Sequence, residues 1–198
     1  MDLKGKRIGF GVTGSHCTYD AVFPEMEKLM EEGAEVVPIT SYTVQTTDTK
    51  FGDAAQHVKR IEDITGKKII STMPEAEPLG PTAPLDCMVI APLTGNSLSK
   101  FANAMTDSPV LMAAKATMRN QNPVVVGIST NDALGLNGVN LMRLMASENI
   151  YFIPFGQDHP FKKPNSLVAE MSELVDTVKH AIERKQIQPV LIQRMKKE

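Results

Sequence analysis

Met88-Val89-Ile90-Ala91-Pro92-Leu93-Thr94-Gly95-Asn96-Ser97-Leu98-Ser99-Lys100-Phe101-Ala102-Asn103-Ala104-Met105-Thr106-Asp107-Ser108 passes from an apolar run into a polar turn built on one Gly, then into helical spacing. The apolar run reads as a buried strand. A strand that feeds such a turn and then a helix start gathers backbone N–H groups at the positive end of the helix dipole, which suits an anion. Thr94, Asn96 and Ser97 add side-chain donors for a phosphate or a carboxylate. The same residue types make an ordinary helix N-cap, and local chemistry alone weighs the two readings equally.

The pattern repeats outward from this stretch. Lys6 to Val12 reads as a strand, followed by a helix from about Cys17 to Glu32 that Gly33 stops. Glu35 to Ile39 is a second strand, and its Pro38 suits an edge. Residues 41–52 read as a loop, 53–64 as a helix ended by Gly66, 68–71 as a short strand, and 74–84 as a Pro-rich mobile connection. Then come strand 87–91, helices near 96–104 and 109–120, strand 123–128, helix 138–149 and strand 150–153. A final amphipathic helix is expected from about Ser166 to Lys185. Strands alternate with helices, and the central strands are continuously apolar. That predicts a three-layer, Rossmann-like (flavodoxin-like) α/β fold, a parallel sheet with helices on both faces. One domain over 1–198 is expected, with a C-terminal helix and tail from about 166. Such sheets bind ligands beyond the C-terminal ends of their strands. Turns 11–15, 40–43, 93–97 and 129–132 should therefore share one rim.

Bulk properties exclude several classes. A formal net charge of −2 supplies no basic field for nucleic acid and no polybasic membrane anchor. No run approaches the roughly 20 apolar residues that span a bilayer. Lys4, Lys6 and Arg7 lead straight into a strand without a signal-like segment, so a cytoplasmic protein is expected. Cys17 and Cys87 make no secreted disulfide framework, and four scattered His residues predict no metal site. Twelve Met without a Trp reads as gap-filling core, with some Met at a subunit interface as the sharper alternative.

Gly9-Phe10-Gly11-Val12-Thr13-Gly14 matches the dinucleotide fingerprint G-x-G-x-x-G between a strand and a helix. That fingerprint also wants a carboxylate at the end of the second strand to hold a ribose. Here the strand ends Ile39-Thr40-Ser41-Tyr42, and Glu35 sits at its other end. Hydroxyls in that place suit a phosphate, which weighs against a dinucleotide held by this chain. A tight strand-to-helix turn is the plainer reading.

Ala91-Pro92, Thr94, Asn96, Ser97, Lys100, Ala102 and Asp107 resemble the Pro-Ala-Ser-Ala-Asn-Thr segment of the flavoprotein family that includes the phosphopantothenoylcysteine and lantibiotic-cysteine decarboxylases and the flavin prenyltransferases. The resemblance implies FMN as cofactor. It places Thr13, Gly14 and Ser15, Ser41 beside the phosphate, and Thr94, Gly95, Asn96 and Ser97 around that ligand. It puts Ser129, Thr130 and Asn131 where the decarboxylases grip the substrate carboxylate with Pro-x-Met-Asn. Asn131 is kept, but the Pro and Met are not. No counterpart of the decarboxylase His is evident: His16 in the first turn and His57 on a helix read as surface or cap residues. The catalytic residues are therefore left unassigned.

Up to about Lys163 the chain is similar to one branch of that family from spore-forming bacteria. The similarity implies a homo-oligomeric oxidoreductase component, inactive alone, in the mother-cell cytoplasm. It would act on a small dicarboxylate, oxidising a dihydropyridine precursor to pyridine-2,6-dicarboxylate (dipicolinate) during sporulation. A separate partner chain of the same synthase, carrying a pyridine-nucleotide domain, would bind the NADP. The rival readings are a non-catalytic binding or scaffolding component and an FMN-dependent cysteine decarboxylase.

Overall fold

The continuously apolar runs do pair side by side. A computed structural model describes residues 2–194. Strands β1 (Arg7–Val12), β2 (Glu35–Thr40), β3 (Cys87–Leu93), β4 (Val124–Thr130) and β5 (Ile150–Phe152) form a parallel array ordered β2-β1-β3-β4-β5. Every residue of β3 and β4 is buried, as a sheet covered on both faces demands. Pro38 does lie in the outermost strand. Beyond it, the strand expected at 68–71 shrinks to a single bridge, Ile39 to Ile70, with Ile70 N donating to Pro38 O at 2.8 Å. Pro38 has no N–H to return, so the ladder stops there.

Helices fill the crossovers: α1 (Tyr19–Glu31), entered through a 3-10 turn at His16–Thr18, then α2 (Tyr42–Thr46), α3 (Ala54–Thr65), α4 (Met73–Ala76), α5 (Gly95–Ala102), α6 (Pro109–Arg119), α7 (Gly138–Met145) and α8 (Leu174–Ile182). Two supposed loops are thus partly ordered. α2 lies in the stretch 41–52, and in the Pro-rich stretch Ala76 and Leu79 are buried. α7 stops short of Asn149, which takes a left-handed φ of 62° as the chain turns into β5.

The C-terminal third departs most from expectation. Ser166 to Ala169, expected to open the last helix, instead belong to strand β7 (Lys163–Ala169), which pairs antiparallel with β6 (Phe155–His159) and with Ser129 and Thr130 of β4. The sheet is therefore seven-stranded and mixed. The cause is tertiary. β4 runs two residues beyond the expected Ile128, and its polar end needs a hydrogen-bonding neighbour that β5 is too short to supply. The following tail lies on the hairpin edge. Leu191 bridges Phe155, the Gln186 side chain meets both N and O of Phe152, and Arg194 donates to the Val168 and Ala169 carbonyls. The last four residues of the expected tail, 195–198, lie outside the described residues.

Gly9 and Gly11 show what the fingerprint glycines do. Both lie inside β1. A Cβ on Gly9 would come 2.5 Å from Leu85 Cδ1, and one on Gly11 would come 2.7 Å from Met88 Cε and 2.8 Å from Val110 Cγ1 of α6. They admit neighbouring side chains to the sheet. Only Gly14 belongs to the turn. Ile8, Phe10 and Val12 alternate to the opposite side of the sheet and are fully buried.

Candidate functional site

Four strand ends meet on one rim, and hydroxyl groups tie them together. Thr13 Oγ1 donates to Pro92 O at 2.6 Å and accepts from Thr94 N at 3.1 Å, joining the turns after β1 and β3. Thr13 is only 1% exposed, so its hydroxyl is spent on holding the two turns. The β3–β4 register shifts between Ile90 and Leu93, around Pro92 with its missing N–H. Ser15 Oγ and Ser129 Oγ share a hydrogen bond of 2.8 Å, which joins the turn after β1 to the end of β4. Ser41 N donates to Val12 O at 3.0 Å and brings in the end of β2.

Thr94 serves as the N-cap of α5: its Oγ1 accepts from Ser97 N at 3.2 Å and donates to Ser97 Oγ at 3.1 Å. The cap and the anion readings are thus compatible. Ser97 Oγ accepts from Thr94 and keeps its own proton for a ligand.

The turn at 94–96 separates two clefts. The first, about 260 Å³, is lined by Gly14, Ser41, Tyr42, Thr43, Ser97, Lys100 and Asp107 among others. Lys100 Nζ lies 2.6 Å from Asp107 Oδ2 at its edge. Ser41 Oγ is buried without a hydrogen-bond partner, a condition that costs about 1–3 kcal/mol unless something fills it. A Cβ on Gly14 would come 2.8 Å from Thr43 Cγ2, so the backbone approaches α2 as only Gly allows.

The second cleft, about 530 Å³, is bounded by Ser15, Gly95, Asn96, Ser99, Ser129, Thr130, Asn131, Asp132 and Asn137. Sequence reasoning missed Asp132 and Asn137 as its members. Asp132 Oδ1 accepts from Thr130 Oγ1 at 2.6 Å, and Oδ2 accepts from Asn137 Nδ2 at 2.8 Å. The network continues as Asn140 donates to Asn137 Oδ1 and Asn103 donates to Asn140 Oδ1, so it spans α5 and α7. The Thr130-x-Asp132 spacing in a turn was the one local signal. Gly95 is the permissive residue: a Cβ there would lie 2.5 Å from Thr130 Oγ1 and 2.8 Å from Asp132 Oδ1. Asn131 is exposed at the edge.

Neither expected surface histidine is at the surface. His16 and His57 are both buried, with ring centroids 5.4 Å apart, and Tyr19 packs 4.9 Å from His57. His16 Nδ1–H donates to Gly14 O at 3.0 Å, and Tyr19 OH donates to Thr13 O at 3.0 Å. The group braces the first turn from beneath. Burial first, then the nearby His16 and Arg60, hold His57 below its ordinary pKa of 6.5. Burial also pushes the Tyr19 hydroxyl and the Cys87 thiol far above their usual ranges.

The flavoprotein family model matches residues 1–185. The chain belongs to the flavoprotein family. This flavoprotein is 68% identical over 191 residues, 96% of each chain, to the B subunit of dipicolinate synthase from Bacillus subtilis (strain 168). It also superposes on a crystal structure of the dipicolinate synthase B subunit from Bacillus halodurans C with a TM-score of 0.91 and 65% identity, covering 98% of this chain and 100% of that one. A crystal structure of the FMN-dependent cysteine decarboxylase SpaF has a TM-score of 0.65 at 22% identity, over 90% of this chain and 98% of that one, and shares the fold. No helix among the described residues of this flavoprotein is long and apolar enough to cross a membrane.

Proposed function

We propose that this chain is the flavin-fold component of a dipicolinate-forming oxidoreductase. It works beside a second, pyridine-nucleotide-binding component of dipicolinate synthase that carries NADP. It assembles with copies of itself, and the pair oxidises a dihydrodipicolinate-type precursor in the mother-cell cytoplasm. The observation that carries this reading is the 68% identity over nearly the whole length to a protein named as one component of that synthase.

FMN fits the rim. The unpartnered Ser41 Oγ, the free proton of Ser97 Oγ and the Lys100 ammonium answer a phosphate in the first cleft. Gly95 and Asn96 offer amide groups beside the turn that both clefts share. When bound, FMN supplies a two-electron carrier. The chain's own residues position the substrate. Ser129 and Asn131 present a hydroxyl and an amide to a carboxylate, while Thr130 beside them gives its hydroxyl proton to Asp132. Among the described residues, the second cleft has no Lys, Arg or His in its lining. Two like charges at about 4 Å repel by roughly 4 kcal/mol at an effective dielectric of 20, so a dicarboxylate beside Asp132 needs those donors or cations from another chain.

A non-catalytic scaffold is favoured by one observation: both histidines near the rim are buried beneath it rather than lining a cleft. A visible absorption spectrum of the purified protein separates the two, since a scaffold carries no flavin bands. The functional test is reconstitution. The isolated chain should make no dipicolinate with NADP, and activity should appear on adding the pyridine-nucleotide component. Asn131→Ala should lower that joint activity more than it lowers the affinity between the two chains. Robust turnover by the isolated chain rejects the two-component reading.

A further inference from the structure

We infer that Asp132 is the carboxylate that accepts the ring proton during the oxidation, an assignment that rests on the dipicolinate reading above. Among the described residues lining the second cleft it is the one ionisable side chain. Its two oxygens each hold one neutral donor, Thr130 Oγ1 at 2.6 Å and Asn137 Nδ2 at 2.8 Å. Each carboxylate oxygen has two lone-pair sites, so the pair aims the group and leaves it an accepting position on either oxygen. The glycine at 95 keeps that position open, since a Cβ there would lie 2.8 Å from Oδ1.

The surroundings leave the proton no competitor. On the neighbouring elements Lys100 is paired with Asp107, and Lys163 with Asp158. Arg143 is held by Asn103, His16 donates to Gly14 O, and Cys17 Sγ lies 3.9 Å from Ser15 Oγ. None of these lines the cleft.

The step balances as follows. One ring hydrogen would leave with its electron pair as a hydride equivalent, and the oxidised nicotinamide nucleotide of the partner chain would be the final acceptor and be reduced. A neighbouring ring hydrogen leaves as a proton to Asp132, and the electrons of its broken bond complete the aromatic ring. Asp132 becomes a carboxylic acid and returns the proton to solvent as the product departs.

In the reconstituted pair, Asp132→Asn should lower kcat by roughly 10²- to 10⁴-fold without raising KM, and should erase the acid limb of the pH–kcat profile. Asn137→Ala keeps the carboxylate but removes one donor, so it should keep that limb and move it to higher pH. Equal losses in both variants with an unmoved limb would reduce Asp132 to a packing role and overturn the assignment, as would Asp132→Asn turnover within threefold of wild type. A wild-type pair that makes no dipicolinate overturns the functional reading together with this one. A wild-type pair that turns over while Asp132→Asn matches it overturns this one alone.

Discussion

The two clefts share Gly14, Thr94 and Asn96, yet their chemistry is opposite. The first offers a buried hydroxyl without a partner, a capped helix start and a Lys whose charge is matched by Asp107. The second has hydroxyls and amides around one carboxylate. A strand-end turn is neutral in itself, and its ligand is chosen by which helix lies on either side. α6 follows the Asp107-Ser108 segment to close the first cleft, whereas α7 closes the second with Asn137. The first side is suited to a phosphate, the second to a group that trades a proton.

The sharpest way to break this division is Gly95→Ala. The added methyl would strike Thr130 Oγ1 and Asp132 Oδ1, so joint activity should fall by more than about a hundredfold, with a stability loss of about 1–3 kcal/mol from overpacking. Affinity for inorganic phosphate or FMN, read by titration calorimetry, should change far less. Equal damage to both ligands would mean the clefts act as one.

Next in size is the double change Thr94→Ala and Ser97→Ala. Loss of their hydrogen bonds should weaken phosphate or FMN by about 1–3 kcal/mol, and dipicolinate by less. Unchanged FMN affinity would move the phosphate elsewhere on the rim.

A smaller effect tests the turn that both clefts share. His57 is held below its ordinary pKa of 6.5 by burial first, then by His16 and Arg60. The unfolded chain therefore binds the proton first. This contribution to stability is complete above about pH 6.5 and is lost as pH falls through the folded value. Urea midpoints should drop over that interval, and His57→Gln should flatten the drop. An unchanged slope in the variant would assign the acid sensitivity to other groups.

The smallest effect concerns the thiols. Cys87 is buried and Cys17 exposed, so iodoacetamide should label one thiol in the native protein and two in urea. The label on Cys17, beside Ser15 at 3.9 Å, should hinder dipicolinate without touching phosphate binding. Labelling of Cys87 in the native protein would show that the core opens.

Patterns carried by consecutive residues were readable without coordinates. The apolar runs at 6–12, 87–91 and 123–128 could satisfy their backbone only within a sheet buried on both faces, and the Thr94-Gly95-Asn96-Ser97 turn announced a capped helix start. The same local logic misjudged 166–169. Ser166, Leu167, Val168 and Ala169 fit either period, and the choice went to the strand because the end of β4 lacked a partner.

Residue chemistry therefore determined by itself the alternation of the five parallel strands with their main crossover helices, the parallel core, and the rim on which Thr13, Ser41, Thr94 and Ser129 converge. Those features depend on burial and backbone hydrogen bonding along short stretches. Only the tertiary structure decided that Thr13 would be consumed in joining two turns and that His16 and His57 would meet beneath them. It alone made Asp132 the one charged side chain among the described residues of its cleft. These facts depend on distances between residues far apart in the chain, 79 positions for Thr13 and Pro92 and 35 for Ser166 and Asn131, and no local periodicity encodes which side chains packing will bring together.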